Sequence, residues 1–228
     1  VGLISYENYK LEKAAELFEN AKYSLSKMRL TTAESEINEA LSYNNRNVDY
    51  YLLKGKILFE FDDYSEARGS FIRAKNINSK IDSINFKIAE TYYKESNFSS
   101  LEISLDNFVE NRRLKGNIYQ ELNKIDLGWK KPSINNYLAI AYSNKIIKNE
   151  GSFSSYEVNF AKIEKSKANL FNRNYQEAID QINSFIYTLN ETQMSTAYNL
   201  RGISYSSLNN EKKAIEDYGN AIGLRESR

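Results

Sequence analysis

The chain contains no histidine and no cysteine. Without histidine it lacks the commonest general base, the imidazole metal ligand and every Ser-His or Cys-His nucleophile pair. Without cysteine, neither a disulfide framework nor a thiolate metal site can form. Any catalysis would fall to carboxylates, Lys or Tyr alone, so the expectation is no enzyme, no catalytic residue, no metal and no cofactor. Proline occurs once and glycine nine times in 228 residues, so the residues that break or weaken helices are scarce. No apolar run approaches the roughly 20 residues needed to cross a bilayer, and no transmembrane segment is expected. Basic and acidic residues balance, 31 against 30. No whole-molecule field therefore draws the chain to nucleic acid or to an anionic surface. The composition leans to Asn, Ile, Lys, Tyr and Ser, the mark of an AT-rich and bacterial coding sequence. The chain opens at Val1, which leaves an upstream export signal or lipid anchor open. Together with the missing cysteine, this favours a periplasmic or cell-envelope location over a cytoplasmic one.

What is present is a repeat. From Val48, an apolar helix runs through Tyr51, Leu52, Gly55, Leu58 and Phe59 to the turn Phe61-Asp62-Asp63-Tyr64. A second helix follows, with Ala67, Phe71 and Ala74. One period of 34 residues later, Ile88, Ala89 and Tyr92 lead to Ser96-Asn97-Phe98 and then Leu101, Leu105 and Phe108. One period earlier, Ala33, Ile37 and Ala40 hold the same register, and Ala21 stands where Gly55 does. Near the C-terminus, Asn172-Arg173-Asn174-Tyr175 precedes Ala178, Ile182 and Phe185. The last unit has Tyr198, Gly202, Tyr205, the turn Leu208-Asn209-Asn210, then Ala214, Tyr218 and Ala221. Small residues let two helices approach while aromatic rings fill the wedge, and a single hairpin cannot bury that face without a neighbour.

These residues resemble the tetratricopeptide repeat family. Six positions of its pattern recur in the last unit (Tyr198, Gly202, Tyr205, Ala214, Tyr218, Ala221) and five in the unit at Val48 (Tyr51, Gly55, Ala67, Phe71, Ala74). The family's terminal proline is missing throughout, Lys54 replaces the usual Leu, and Leu101 replaces an Ala. The resemblance implies an all-α fold, a right-handed superhelix of stacked antiparallel helix pairs. Three segments are expected. Residues 1–115 hold an N-terminal helix and three repeats. Residues 116–158 form an atypical helical segment, a degenerate repeat with an inserted loop. Residues 159–228 hold two further repeats. Ser5 is the candidate cap of the first helix, and Pro132 suits the first turn of a later one.

The resemblance also implies a function: binding another protein or peptide in the groove lined by the first helix of each hairpin. By register it selects Leu52, Lys56, Phe59 and Glu60, then Phe86, Glu90, Tyr93 and Lys94, then Ile163, Lys167, Leu170 and Phe171, and last Asn199, Ile203 and Ser206. The family's clamp for chaperone carboxylates needs Lys and Asn at positions occupied here by Leu52/Lys56 and Phe86/Glu90, so that partner is disfavoured. A second candidate surface lies in the middle. Between Asn111 and Asn149, Arg112, Arg113, Lys115, Lys124, Lys130, Lys131, Lys145 and Lys148 face only Glu121 and Asp126, a local +6. Trp129 stands among them as the aromatic of a basic docking patch with Arg112, Arg113, Lys115, Lys130 and Lys131. The competing role for Trp129 is to plug the imperfect repeat.

Two rival functions come with this reading. The last hairpin shows no polar capping helix, so a homodimer through it is the first. An RNA-reading helical repeat is the second, and it would need a basic stripe in every unit. The excess is confined to the middle, so no nucleic acid is expected.

Overall fold

The computed structural model describes residues 2–81, 83–110 and 117–226. They are helical, with no strand among the described residues. Twelve α-helices are described: α1 Gly2–Ser26, α2 Leu30–Tyr43, α3 Val48–Glu60, α4 Tyr64–Ile77, α5 Ser83–Lys94 and α6 Phe98–Glu110, then α7 Asn117–Asn123, α8 Ile134–Lys148, α9 Ser155–Phe171, α10 Tyr175–Phe185, α11 Glu191–Ser207 and α12 Glu211–Glu226. They fall into two compact units, one reaching to Phe108 and the other starting at Val109.

The backbone itself records the repeat. Met28, Asp62 and Ser96 all have φ near +60° (54°, 62° and 58°), and they stand one 34-residue period apart; Arg173 and Asn209 repeat the feature at 66° and 59°. Each ends a helix in the left-handed conformation. The next amide reaches back to close the turn: Arg29 N to Ser24 O at 2.9 Å, Asp63 N to Leu58 O at 3.0 Å, Asn97 N to Tyr92 O at 2.9 Å, Asn174 N to Asn169 O at 2.9 Å and Asn210 N to Tyr205 O at 2.8 Å. This closure satisfies carbonyls that the helix end would leave unpaired. The same residue then starts the following helix. Asp63 Oδ1 accepts from Glu66 N at 3.1 Å, and Asn97 Oδ1 from Ser100 N at 3.2 Å. At Asp63 and Asn97 one residue therefore both stops a helix and begins its partner, while Arg29 and Asn174 at the same place make no side-chain cap.

In the first unit, α1, α2 and α3 share a core of Ala14, Leu17, Ala21, Ala33, Ile37, Ala40, Tyr50 and Ile57. A second core joins α3, α4 and α5 through Tyr51, Leu58, Ala67, Phe71, Ala74, Ile84 and Ile88, and Leu41 packs against both cores. Gly55 lets α3 and α4 touch: a Cβ there would meet the ring of Phe71. In the second unit, α9, α10 and α11 enclose Ile163, Leu170, Ala178, Ile182, Phe185, Ile186, Ala197 and Leu200. Gly202 repeats the role of Gly55, since a Cβ on it would lie 2.8 Å from the ring of Tyr218. Small-on-aromatic contact is thus the common hinge of the hairpins at both ends of the sequence.

Three local expectations need correction. Ser5 does not cap α1, because the helix is already running at Gly2. Pro132 lies one residue before the N-cap, which is Ser133, and not in the first turn of α8. The spacing of Ile118, Tyr119, Leu122 and Ile125 predicts one helical stripe, but α7 stops at Asn123, so Ile125 sits in the loop that follows.

Candidate functional site

The first helices of the first unit each carry one stripe of side chains at spacings of four and three residues; those of α1 and α3 are one 34-residue period apart, and that of α5 is set three residues earlier. Such spacings put residues on one helical face. On α1 the stripe is Phe18, Lys22 and Leu25; on α3 it is Leu52, Lys56 and Phe59; α5 brings Ser83, Lys87 and Glu90. Together with Met28, Asp49, Glu60 and the edge of Phe71, they line a hollow of about 900 Å³. Its walls are apolar low down, where Phe18 stacks on Tyr50 with ring centroids 4.8 Å apart. Its rim is charged. Lys22 pairs with Glu19 at 2.9 Å and Lys87 with Glu90 at 2.7 Å.

Of the residues selected from sequence, Leu52, Lys56, Phe59, Glu60 and Glu90 line this hollow. Lys94 stands beside it, its ammonium 5.7 Å from the Phe59 ring centroid, and Phe59 meets Tyr64 edge-on at 5.2 Å. Phe86 is drawn away, packing against Phe108 on α6 at 5.5 Å. Tyr93 is half-buried, and burial pushes its hydroxyl above the ordinary phenol value. Phe18, Lys22 and Leu25 escaped the sequence selection. They sit one 34-residue period before Leu52, Lys56 and Phe59, so the register that chose those three, extended one period toward the N-terminus, would have found them.

The selected residues of the second unit behave differently. Ile163 and Leu170 are core residues, 5% and 4% exposed, so neither offers a surface to a partner, and their assignment to a groove is corrected. Phe171 packs half-buried against the same core. Lys167 faces Glu164 at 3.5 Å, and burial raises the Glu164 carboxyl above its ordinary value despite the lysine's pull. Asn199 is half-buried, while Ile203 and Ser206 are exposed.

Of the basic patch, Arg112, Arg113 and Lys115 lie outside the described residues. Trp129, Lys130 and Lys131 share the loop between α7 and α8. Trp129 is 69% exposed, so it plugs no core; Lys130 hovers 5.4 Å over its ring. The loop is tied down from below by Asn136, which is fully buried. Its Oδ1 accepts from Gly128 N at 2.9 Å, and its Nδ2 donates to Asn172 Oδ1 at 2.9 Å and Gly128 O at 3.3 Å. Lys145 does not join the patch: it is buried and pairs with Glu110, whose carboxyl it holds below the ordinary value.

No protein-family model matches the chain, and no curated protein matches it. Solved structures do. It is similar to a crystal structure of MamA protein at 12% identity, covering 94% of this chain and 93% of that one, with a TM-score of 0.49. YrrB, a TPR protein with an unusual peptide-binding site, is similar at 14% identity over 83% and 92% of the two chains, TM-score 0.39. The TPR domain of P58(IPK) is similar at 15% identity over 94% and 63%, TM-score 0.43. The left-handed turns at Met28, Asp62 and Ser96 and the glycine-on-ring contacts at Gly55 and Gly202 build antiparallel helix pairs, the arrangement that the tetratricopeptide resemblance implies.

Proposed function

We propose that the chain is a non-catalytic scaffold that holds a segment of a partner protein in the hollow formed by α1, α3 and α5. One observation carries this reading: three helices line one space, α1 and α3 with matching stripes and α5 with Ser83, Lys87 and Glu90, and Phe18, Leu52 and Phe59 can take an apolar side chain between charged rims. A partner helix or extended segment supplies side chains at such intervals. Lys56 and Glu60 are ion-paired with nothing among the described residues, so both are available to fix the partner's orientation. Trp129 with Lys130 and Lys131 is the rival docking surface, an exposed aromatic on a braced basic loop.

Capture of the partner from the native cell, with the wild-type chain and with Lys56→Glu/Phe59→Ala and Trp129→Ala variants, decides between them. Loss of capture by the first variant alone supports the hollow. Capture that survives it and fails with Trp129→Ala moves the docking site to the loop.

A further inference from the structure

In the second unit, hydrogen bonds align three connections along one edge. Asn136, at the start of α8, donates through Nδ2 to Asn172 Oδ1 just past the end of α9 at 2.9 Å. That bond sets the α7–α8 loop beside the α9–α10 turn. Gln193, at the start of α11, donates through Nε2 to Tyr156 O at the start of α9 at 3.3 Å. These two helices therefore run side by side in one direction, and each has 17 residues. Their ends fall level, so the α11–α12 turn joins the same edge.

Five exposed cations stand there: Lys130 and Lys131 on the loop, Arg173 in the middle turn, and Lys212 and Lys213 at the start of α12. None of them is ion-paired among the described residues. Lys213 lies 5.1 Å over the Tyr205 ring, as Lys130 lies over Trp129. Asp126, Glu177 and Glu211 oppose them, and Lys124 is taken up by Glu121 at 3.9 Å. The other end of the same unit reverses the balance, with Glu150, Glu157, Glu191 and Glu226 against Lys148 and Arg225. Turn chemistry does not demand the basic charge, since the turn after α3 holds Asp62 and Asp63.

Two apolar side chains project between the cations. Trp129 is 69% exposed on a loop that buried Asn136 holds in place, and Leu208 is 43% exposed at the end of α11. An indole and an aliphatic side chain among unpaired cations fit the boundary of an anionic bilayer. There the headgroups take the ammonium and guanidinium groups, and the indole sits at headgroup level with its apolar body inward. A folded acidic protein would have to offer a cavity to each projecting side chain. A nucleic-acid strand could stack on Trp129 but has no use for Leu208.

We propose that this edge docks the chain on an anionic lipid surface, with Trp129 and Leu208 entering the headgroup boundary. The function is additional to the hollow of α1, α3 and α5. Co-sedimentation with equimolar phosphatidylcholine–phosphatidylserine vesicles tests it. The expected result is binding that weakens as salt rises and is much weaker to phosphatidylcholine alone. Trp129 is the only tryptophan, so its emission shifts to the blue as the indole leaves water. Each basic residue at such a surface contributes roughly a fivefold factor, so Lys130→Gln/Lys131→Gln weakens binding more than about tenfold, with unchanged circular dichroism. Trp129→Ala weakens it about tenfold, the transfer of one large aromatic side chain. Lys56→Glu/Phe59→Ala, in the hollow, leaves vesicle binding intact whatever it does to partner capture. No binding to the anionic vesicles overturns the proposal, as does binding without a blue shift or binding that both edge variants retain. Retention by polyglutamate or single-stranded DNA in place of vesicles overturns it too, and assigns the edge to a soluble polyanion.

Discussion

Gly55 and Gly69 allow the same substitution to be predicted with opposite signs. Replacing glycine by alanine in a helix gains about 1 kcal/mol of intrinsic propensity. At Gly69, exposed on α4 with nothing within 4 Å of the added methyl, that gain should appear undiminished. At Gly55 three atoms of the Phe71 ring stand closer than 3.0 Å to the added carbon. Phe71 is 2% exposed and packed in the core of α3, α4 and α5, so its ring could yield only by giving up that packing. Overpacking of this kind costs about 1–3 kcal/mol, and a three-atom clash lies at the upper end. Subtracting the propensity gain leaves Gly55→Ala about 1–2 kcal/mol less stable than wild type. Gly69→Ala should be about 0.5–1 kcal/mol more stable. Urea unfolding followed by far-ultraviolet circular dichroism measures both. Adding Phe71→Leu to Gly55→Ala should reveal a favourable coupling of about 1 kcal/mol, because the smaller side chain makes room for the methyl. If Gly55→Ala proves as stable as Gly69→Ala, close approach at this crossing is not what the glycine provides, and the account of the hairpin fails.

Further expectations follow from the second unit. Arg201 holds the buried Asp217 with two bonds of 2.8 and 2.6 Å, so Arg201→Ala should cost about 3–5 kcal/mol by stranding the carboxylate, and Arg201→Ala/Asp217→Asn should recover much of it in the same urea assay. Burial raises the Glu164 carboxyl above its ordinary 4.5. The folded state then binds more protons than the unfolded chain as pH climbs from that value, and stability falls through the raised pKa. Glu164→Gln should remove that slope, which thermal unfolding between pH 4 and 8 would register. Asn136→Ala leaves Gly128 N–H and Asn172 without their partner and should cost about 1–3 kcal/mol. Because Trp129 is the only tryptophan, its emission anisotropy should drop as the loop loosens, and an unchanged anisotropy would show that Asn136 does not brace it.

Much of this was legible in order along the chain. The 34-residue spacing of small and aromatic residues determined the hairpins, their turns and the crossings at Gly55 and Gly202, because those are local matters of helix period, turn chemistry and side-chain size. The stripe Leu52, Lys56, Phe59 was readable for the same reason, and Phe18, Lys22, Leu25 with it. Tertiary packing decided the rest. Nothing in sequence distinguishes Ile163, which packs inward, from Ile215, which faces out, since both are aliphatic residues at regular places on amphipathic helices. Lys145 counted as one charge of a basic run until the fold turned it inward to Glu110, while the choice between the two roles open to Trp129, docking aromatic or core plug, waited on a loop held through Asn136 that leaves it outside. Periodicity sets which side of a helix a residue occupies; which side is covered depends on the neighbour that arrives there, and that is a property of three dimensions.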